Sequence, residues 1–184
     1  MFPEIDHILI DETKIAARVR AMGAQIAADI AADVARTGRD QITLIPILTG
    51  SIVFVADLIR RMPVKMRLGV VAVSSYPGKS MQSKGAAIRG ELPPDLEGKH
   101  VLIVDDILDS GRTLGLVRRL IAEQRPASLR IAVLLRKQVE RAEEVDVEYA
   151  GFDIPDAFVV GYGLDFDGYY RNYPQIAVLK GNGA

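Results

Sequence analysis

A chain of 184 residues in which 49% are hydrophobic and 26% charged has the make-up of an ordinary soluble domain, long enough to bury a sizeable core and far from disordered or collagen-like compositions. Its 23 Lys and Arg against 24 Asp and Glu leave a formal charge of -1, so no overall basic field points to nucleic acid or to an anionic membrane, and any polyanion site must be local. There is no cysteine, which excludes disulfides, thiolate catalysis and Cys-ligated zinc, and His7 and His100 are too few for a His-rich metal site.

The first segment, "MFPEIDHILID", lacks the basic start and apolar core of a signal peptide, and no apolar run approaches the roughly 18 residues of a membrane span, so a soluble, cytoplasmic protein without membrane or nucleic-acid partners is expected. Ile15, Val19, Met22, Ile26, Ile30 and Val34 then recur at steps of three and four, which predicts an amphipathic helix over 14–37 with Asp11 or Thr13 as its cap. "ITLIPIL" (42–48) reads as a buried strand, and after Gly50 the stretch "SIVFVADLIRRM" returns to helical spacing and ends in basic residues that suit a helix C-terminus. "MRLGVVAVSS" (66–75) is the next strand. Residues 76–90, "YPGKSMQSKGAAIRG", are the one long polar stretch and have the length of a functional lid or an unstructured loop. "HVLIVDD" followed by "TLGLVRRLIAEQ" repeats the strand and helix unit, "LRIAVLL" (129–135) adds a strand, and "AFVVGY" and "IAVL" supply later ones. Near-continuous apolar strands alternating with helices predict a single α/β domain over 1–184, built on a doubly wound parallel sheet.

Ligands of such sheets bind beyond the carboxyl ends of the strands, and "VLIVDDILDSGRTL" (101–114) sits at one of those ends. Asp105 and Asp106 follow the strand Val101 to Val104. Neighbouring strand residues point to opposite faces, which makes a purely structural carboxylate pair awkward and suggests a ligand. Asp109, Ser110, Gly111, Arg112 and Thr113 run into a helix and offer backbone N–H groups, two hydroxyls and a positive helix end, an anion cradle suited to phosphate. Carboxylates for hydroxyls beside a cradle for phosphate describe a sugar phosphate. The plain structural alternative is a buried strand ending in helix-capping acids. A P-loop is excluded, because Asp106 stands where its first Gly belongs and Arg112 where its Lys belongs, and "GYGLDF" (161–166) and "DFDG" (165–168) are incomplete dinucleotide and calcium motifs.

"VLIVDDILDSGRTL" resembles the phosphoribosyl-pyrophosphate signature of the type I phosphoribosyltransferases. "ILTGSIVFVADL", "LLRKQ" and "GFDIPDAFVVGYGLDFDGYYRNYPQIAVL" narrow the resemblance to the hypoxanthine-guanine phosphoribosyltransferase family, from about residue 42 onward. The resemblance implies the fold of that superfamily, with a small hood built from the N- and C-terminal segments. It implies magnesium-dependent transfer of 5-phosphoribose from phosphoribosyl pyrophosphate to a 6-oxopurine, with release of pyrophosphate. On the same grounds Asp105 and Asp106 hold the ribose hydroxyls, Ser110, Gly111, Arg112 and Thr113 the 5-phosphate, and Asp109 is the general base. An N-cap role for Asp109 is the plain alternative. Lys137 binds the 6-oxo group, against a solvated Lys past a strand; Phe158 stacks on the purine and Val159 reads its edge through the backbone, against an ordinary core strand.

Asp165 is implied as the Mg2+ ligand and Arg171 as a pyrophosphate contact, although either could be half of a surface salt bridge. Thr49 and Gly50 are implied at the pyrophosphate, and at Thr49 the chain departs from many relatives, which carry Lys there. Ser75 and Tyr76 open the expected lid, and a homodimer or homotetramer is expected by analogy. A second reading, a nucleotide-sensing RNA- or DNA-binding regulator of the same fold, requires a basic face and no purine-specific C-terminus.

Overall fold

The computed structural model describes residues 2–74, 87–89 and 91–180. The lid residues Ser75 and Tyr76 therefore lie outside the described residues. In chain order the elements are β1 (Ile5–Ile10), α1 (Glu12–Thr37), β2 (Ile42–Leu48), α2 (Ile52–Ile59), β3 (Arg67–Leu68), β4 (Val71–Ser74), β5 (Ala87–Arg89), β6 (His100–Leu108), α3 (Arg112–Ala122), β7 (Ser128–Lys137), β8 (Tyr149–Ile154), β9 (Val159–Val160) and β10 (Ile176–Leu179).

Helix α1 begins two residues earlier than the periodicity predicts, because Asp11 is the cap: its carboxylate accepts the Lys14 N–H at 2.9 Å. It stops at Gly38, whose φ of 67° lets its N–H reach the Val34 carbonyl. Its apolar stripe, Ile15, Val19, Met22, Ile26 and Ile30, is buried. The single strand expected over 66–75 is instead two short ones. β3 pairs with Thr43 and Leu44 of β2, β4 pairs with Ile47 and Leu48, and Gly69 between them gives its N–H to the Leu44 carbonyl.

The main sheet has the order β5-β4-β2-β6-β7-β8, with β3 also on β2, and every pair is parallel except β4 with β5. Alternation along β6 shows why both faces are covered. Leu102 and Val104 join the core under α1 and α2, whereas Val101 and Ile103 join the core under α3. Each fully buried Ile or Leu contributes roughly 2 kcal/mol relative to exposure, and this double burial holds the layers together. The doubly wound parallel sheet expected from the apolar strands is the architecture observed.

β1, β10 and β9 form a separate antiparallel sheet, the expected hood of N- and C-terminal segments. Its Ile10, Val159, Ile176 and Val178 share the core of α1, which itself packs on α2 and β8 of the main sheet. From β2 the chain moves outward through α2 to β3 and β4. From β6 it moves the opposite way through α3 to β7. β2 and β6 are therefore neighbours at the point where the winding reverses, and a crevice opens between their carboxyl ends.

Candidate active site

The crevice is a cleft of about 320 Å³, walled by the end of β2 through Gly50, by residues 105–111, and by Thr113 and Leu114 of α3. Strand β6 does not end at Val104 as the sequence suggests but pairs with β7 as far as Leu108, so both aspartates lie within the strand's last turn of pleat. They do not part to opposite surroundings, because the cleft caps the strand's tip and receives both. Asp105 is 6% exposed and Asp106 half-buried. Among the described residues their hydrogen bonds are few: Asp105 accepts the Asp106 N–H and Asp106 accepts the Ile107 N–H, each at 3.0 Å. Burial and the adjacent Asp106 charge push the Asp105 carboxyl well above the usual carboxylate range. Burial also raises Asp106, against the pull of its hydrogen bonds and of the Arg171 charge. Two crowded carboxylates with little internal compensation are an open demand for hydroxyl donors or a cation.

Gly50 brings backbone against this pair. A Cβ there would lie 1.8 Å from Asp106 Oδ2, so only glycine permits the approach. The loop after β9 closes on the same point: Gly163, at φ +105°, would carry a Cβ 2.2 Å from the Gly50 carbonyl oxygen. Thr49 is exposed at the lip. Gly111, at φ +80°, is the N-cap of α3, and no side chain caps the helix there. Asp109 therefore does not fill the plain capping role, and the first N–H groups of α3 have no side-chain cap beside Ser110 and Thr113. The loop is braced from outside by Glu143, whose N–H donates to the Ser110 carbonyl and whose own carbonyl occupies the space a Gly111 side chain would need. Arg112 is exposed and does not line the cleft.

A second cavity of about 200 Å³ adjoins the first and shares Asp106, Ile107 and Asp109 with it. Lys137, Phe158, Val159, Leu164 and Asp165 complete its wall. Lys137 is not a solvated surface lysine: its side chain is 12% exposed and its ammonium lies 3.1 Å from Asp109 Oδ2 and 3.1 Å from Asp156 Oδ1. Burial opposes its charge, but the two carboxylates prevail and raise the ammonium above the ordinary lysine range. Phe158 is 38% exposed and meets Phe166 edge-on, with ring centroids 5.5 Å apart, so one flat ring is held at the mouth. Val159 is buried on β9.

Arg171 and Asp165 are brought together. The guanidinium lies 2.7 Å from Asp165 Oδ1 and donates to the Gly163 carbonyl at 2.7 Å, while Asp165 Oδ2 accepts the Gly168 N–H. The salt bridge that the plain reading allowed for either residue is formed between the two. Arg171 does not line either cavity directly. Tyr162 ties this loop to α2, its hydroxyl donating to Asp57 at 2.6 Å. Burial and that carboxylate push the phenol well above its usual range. Asp156, Phe166, Glu143 and the Asp57–Tyr162 pair were not singled out from sequence. Asp156, Glu143 and the Asp57–Tyr162 pair belong to the site through partners distant along the chain and Phe166 through Phe158, and only the stretches "IPDAF" and "LDFDG" beside named residues hinted at the first two.

A family model described as a phosphoribosyl transferase domain matches residues 19–167. The hypoxanthine-guanine phosphoribosyltransferase of Mycobacterium avium is 41% identical over 176 residues, covering 96% of this chain and 86% of that one. That of Bacillus subtilis is 36% identical over 178 residues, covering 96% and 94%. The chain belongs to the hypoxanthine-guanine phosphoribosyltransferase family. Among solved structures, the Bacillus anthracis hypoxanthine-guanine phosphoribosyltransferase superposes with a TM-score of 0.84 at 34% identity, covering 96% of this chain and 99% of that one. The Trypanosoma cruzi hypoxanthine phosphoribosyl transferase gives 0.87 at 35% identity, with 98% and 94% covered. The sheet, the hood and the cleft at the winding reversal are thus the phosphoribosyltransferase fold. Among the described residues no helix is long and apolar enough to cross a membrane.

Proposed function

We propose that the chain is one phosphoribosyltransferase domain that transfers 5-phosphoribose from phosphoribosyl pyrophosphate to hypoxanthine or guanine, giving the nucleoside monophosphate and pyrophosphate in cytoplasmic purine salvage. The observation that carries the reading is the shared wall of the two cavities: an acidic cleft roomy enough for a sugar phosphate and a second cavity that carries Lys137 and the Phe158 ring meet at Asp106 and Asp109. A sugar phosphate in the first would present its anomeric carbon to a flat heterocycle in the second. The ribose hydroxyls donate to Asp105 and Asp106, and the 5-phosphate caps α3 at Ser110 to Thr113. The pyrophosphate lies against the Thr49–Gly50 backbone, with Arg171 adding positive charge behind Asp165. The purine stacks on Phe158, sets its edge on the Val159 backbone, and gives its 6-oxo group to Lys137.

Breaking the anomeric bond builds positive charge on the ribose ring. The carboxylates of Asp105 and Asp106 favour that charged state over the neutral ground state, and Asp109 takes the ring proton of the purine as the new bond forms. The residues also fit a magnesium ion. Asp165 and Asp106 line one cavity and would offer it carboxylate oxygens, with Asp165 shared with Arg171 and the remaining positions left to substrate oxygens and water. When bound, the ion neutralises charge on the leaving pyrophosphate. Assembly as a homodimer or homotetramer belongs to the same reading. The regulator gains no support: the formal charge is -1 and the purine-side residues Lys137, Phe158 and Asp165 are all grouped.

The test is pyrophosphate release from phosphoribosyl pyrophosphate and magnesium with hypoxanthine, guanine, xanthine, adenine or uracil, with Asp109→Ala as control. Turnover with 6-oxopurines that falls about 100-fold or more in the variant is expected. Ligand binding without turnover on any base would overturn the proposal and favour a sensor.

A further inference from the structure

The resemblance accounts for Lys137 and Asp109 but assigns nothing to Asp156. This residue lies in the turn between β8 and β9, and its carboxylate is 71% exposed at the rim of the second cavity. It reaches inward to the Lys137 ammonium at the same 3.1 Å as Asp109, so a lysine that is only 12% exposed is held from two sides. An ammonium has three N–H donors and no acceptor. One is donated to Asp156, and Asp109 holds the ammonium as an ion pair at 3.1 Å, which leaves donor capacity for a ligand in the cavity that Lys137 lines. The backbone below is fixed as well, since the Lys137 carbonyl accepts from Arg141 and β7 pairs with Ile154 at that level.

We propose that Asp156 is a positioning residue for Lys137: by accepting one N–H and sharing the ammonium with Asp109 it holds a remaining donor ready for the 6-oxo oxygen of the purine. This inference rests on the proposed transferase reading. Without Asp156, Lys137 swings fully onto Asp109, the group that has to accept the purine proton, and the donor for the oxo group is no longer directed. The charged groups around the ammonium are Asp109 from the β6–α3 loop and Asp156 from the β8–β9 turn, with the Arg136–Asp153 pair and Arg141 beside them on β7, β8 and the following loop. Because both carboxylates raise Lys137 against its burial, loss of one lowers it, and the protonated donor persists to a less alkaline pH.

The experiment compares wild type, Asp156→Asn and Asp156→Glu. In the Asn variant we expect kcat/KM for hypoxanthine to fall about tenfold, well short of the loss of a proton acceptor, with the KM for phosphoribosyl pyrophosphate unchanged. The alkaline limb of its pH profile moves to lower pH. The Glu variant recovers most of the activity and the wild-type limb. Calorimetric titration with inosine monophosphate reads the same loss of affinity without turnover. A wild type that turns over no 6-oxopurine refutes the functional reading. An active wild type whose Asn variant keeps the same kcat/KM, pH profile and nucleotide affinity refutes the role of Asp156 alone, as does a loss that Glu does not recover.

Discussion

Replacing Gly50 by Ala should nearly abolish turnover while leaving the fold almost untouched. The added Cβ would lie 1.8 Å from Asp106 Oδ2 and 2.6 Å from its Cγ, whereas real Cβ contacts do not fall below 3.0 Å. The carboxylate therefore has to retreat by more than an ångström, or the β2 loop has to lift away from β6. Displacements of about 1 Å in a reacting geometry cost roughly 100-fold in rate, so kcat/KM for phosphoribosyl pyrophosphate should fall by about that factor. Stability behaves differently. Gly50 is not at positive φ, so alanine is compatible with its backbone and reduces the freedom of the unfolded chain, a gain of roughly 0.4–1 kcal/mol. Against this stands the Asp106 hydrogen bond to the Ile107 N–H, about 1 kcal/mol, and a carboxylate whose burial is itself unfavourable. The net is within about 1 kcal/mol, or about 4 °C in Tm for a chain of this length. Pyrophosphate release and thermal unfolding of the same preparation decide it. Activity within threefold of wild type would refute the close approach of Gly50 to Asp106, and a large drop in Tm would refute the claim that the cost is functional.

Asp105→Asn should abolish most activity yet stabilise the ligand-free protein at pH 8. The folded state raises this carboxyl above its unfolded range near about 4, so the fold is penalised once pH rises through the folded value and unpenalised below the unfolded one. The Tm advantage of Asn should accordingly shrink towards pH 4, and an equal or inverted difference at pH 8 would contradict the assignment. Gly111→Ala combines a φ of +80° with a Cβ 1.8 Å from the Glu143 backbone oxygen, which has no side-chain freedom to yield. It should cost about 2–4 kcal/mol, visible as a Tm lowered by roughly 5–15 °C, and a change under about 3 °C would show that the loop accommodates it. Phe158→Ala removes the ring at the mouth of the second cavity, and stacking worth about 1–1.5 kcal/mol predicts a KM for hypoxanthine raised by about tenfold with that for phosphoribosyl pyrophosphate unchanged.

Much of the site was legible because its signals are local. The apolar run into Asp105 and Asp106, then Ser110, Gly111 and Thr113 before a helix, places carboxylates and an anion cradle within nine residues, and local chemistry survives folding. Less legible was anything that needs two strands. β6 continues to Leu108 because β7 is there to pair with it, and no periodicity marks a strand that ends in acids. Likewise the segment 66–75 reads as one strand, and the way β2 divides its partners breaks it in two. A cap at Asp109 is the plain local alternative, and it is not filled: Gly111 is the N-cap, and the Asp109 carboxylate lies against Lys137, 28 residues further on.

By itself, then, the sequence determined the α/β class, through buried strands alternating with amphipathic helices, and the carboxylates and helix N-terminus at one wall of the cleft, through residues adjacent in the chain. Only the tertiary structure decided that β2 and β6 are neighbours, that Gly50 closes on Asp106 and Gly163 on Gly50, and that Lys137 is shared between Asp109 and Asp156. The physical reason is range. Hydrophobic period and helix capping act over a few residues and are written in local order, whereas burial, ion pairing and close backbone approach depend on which segments the winding of the sheet brings together.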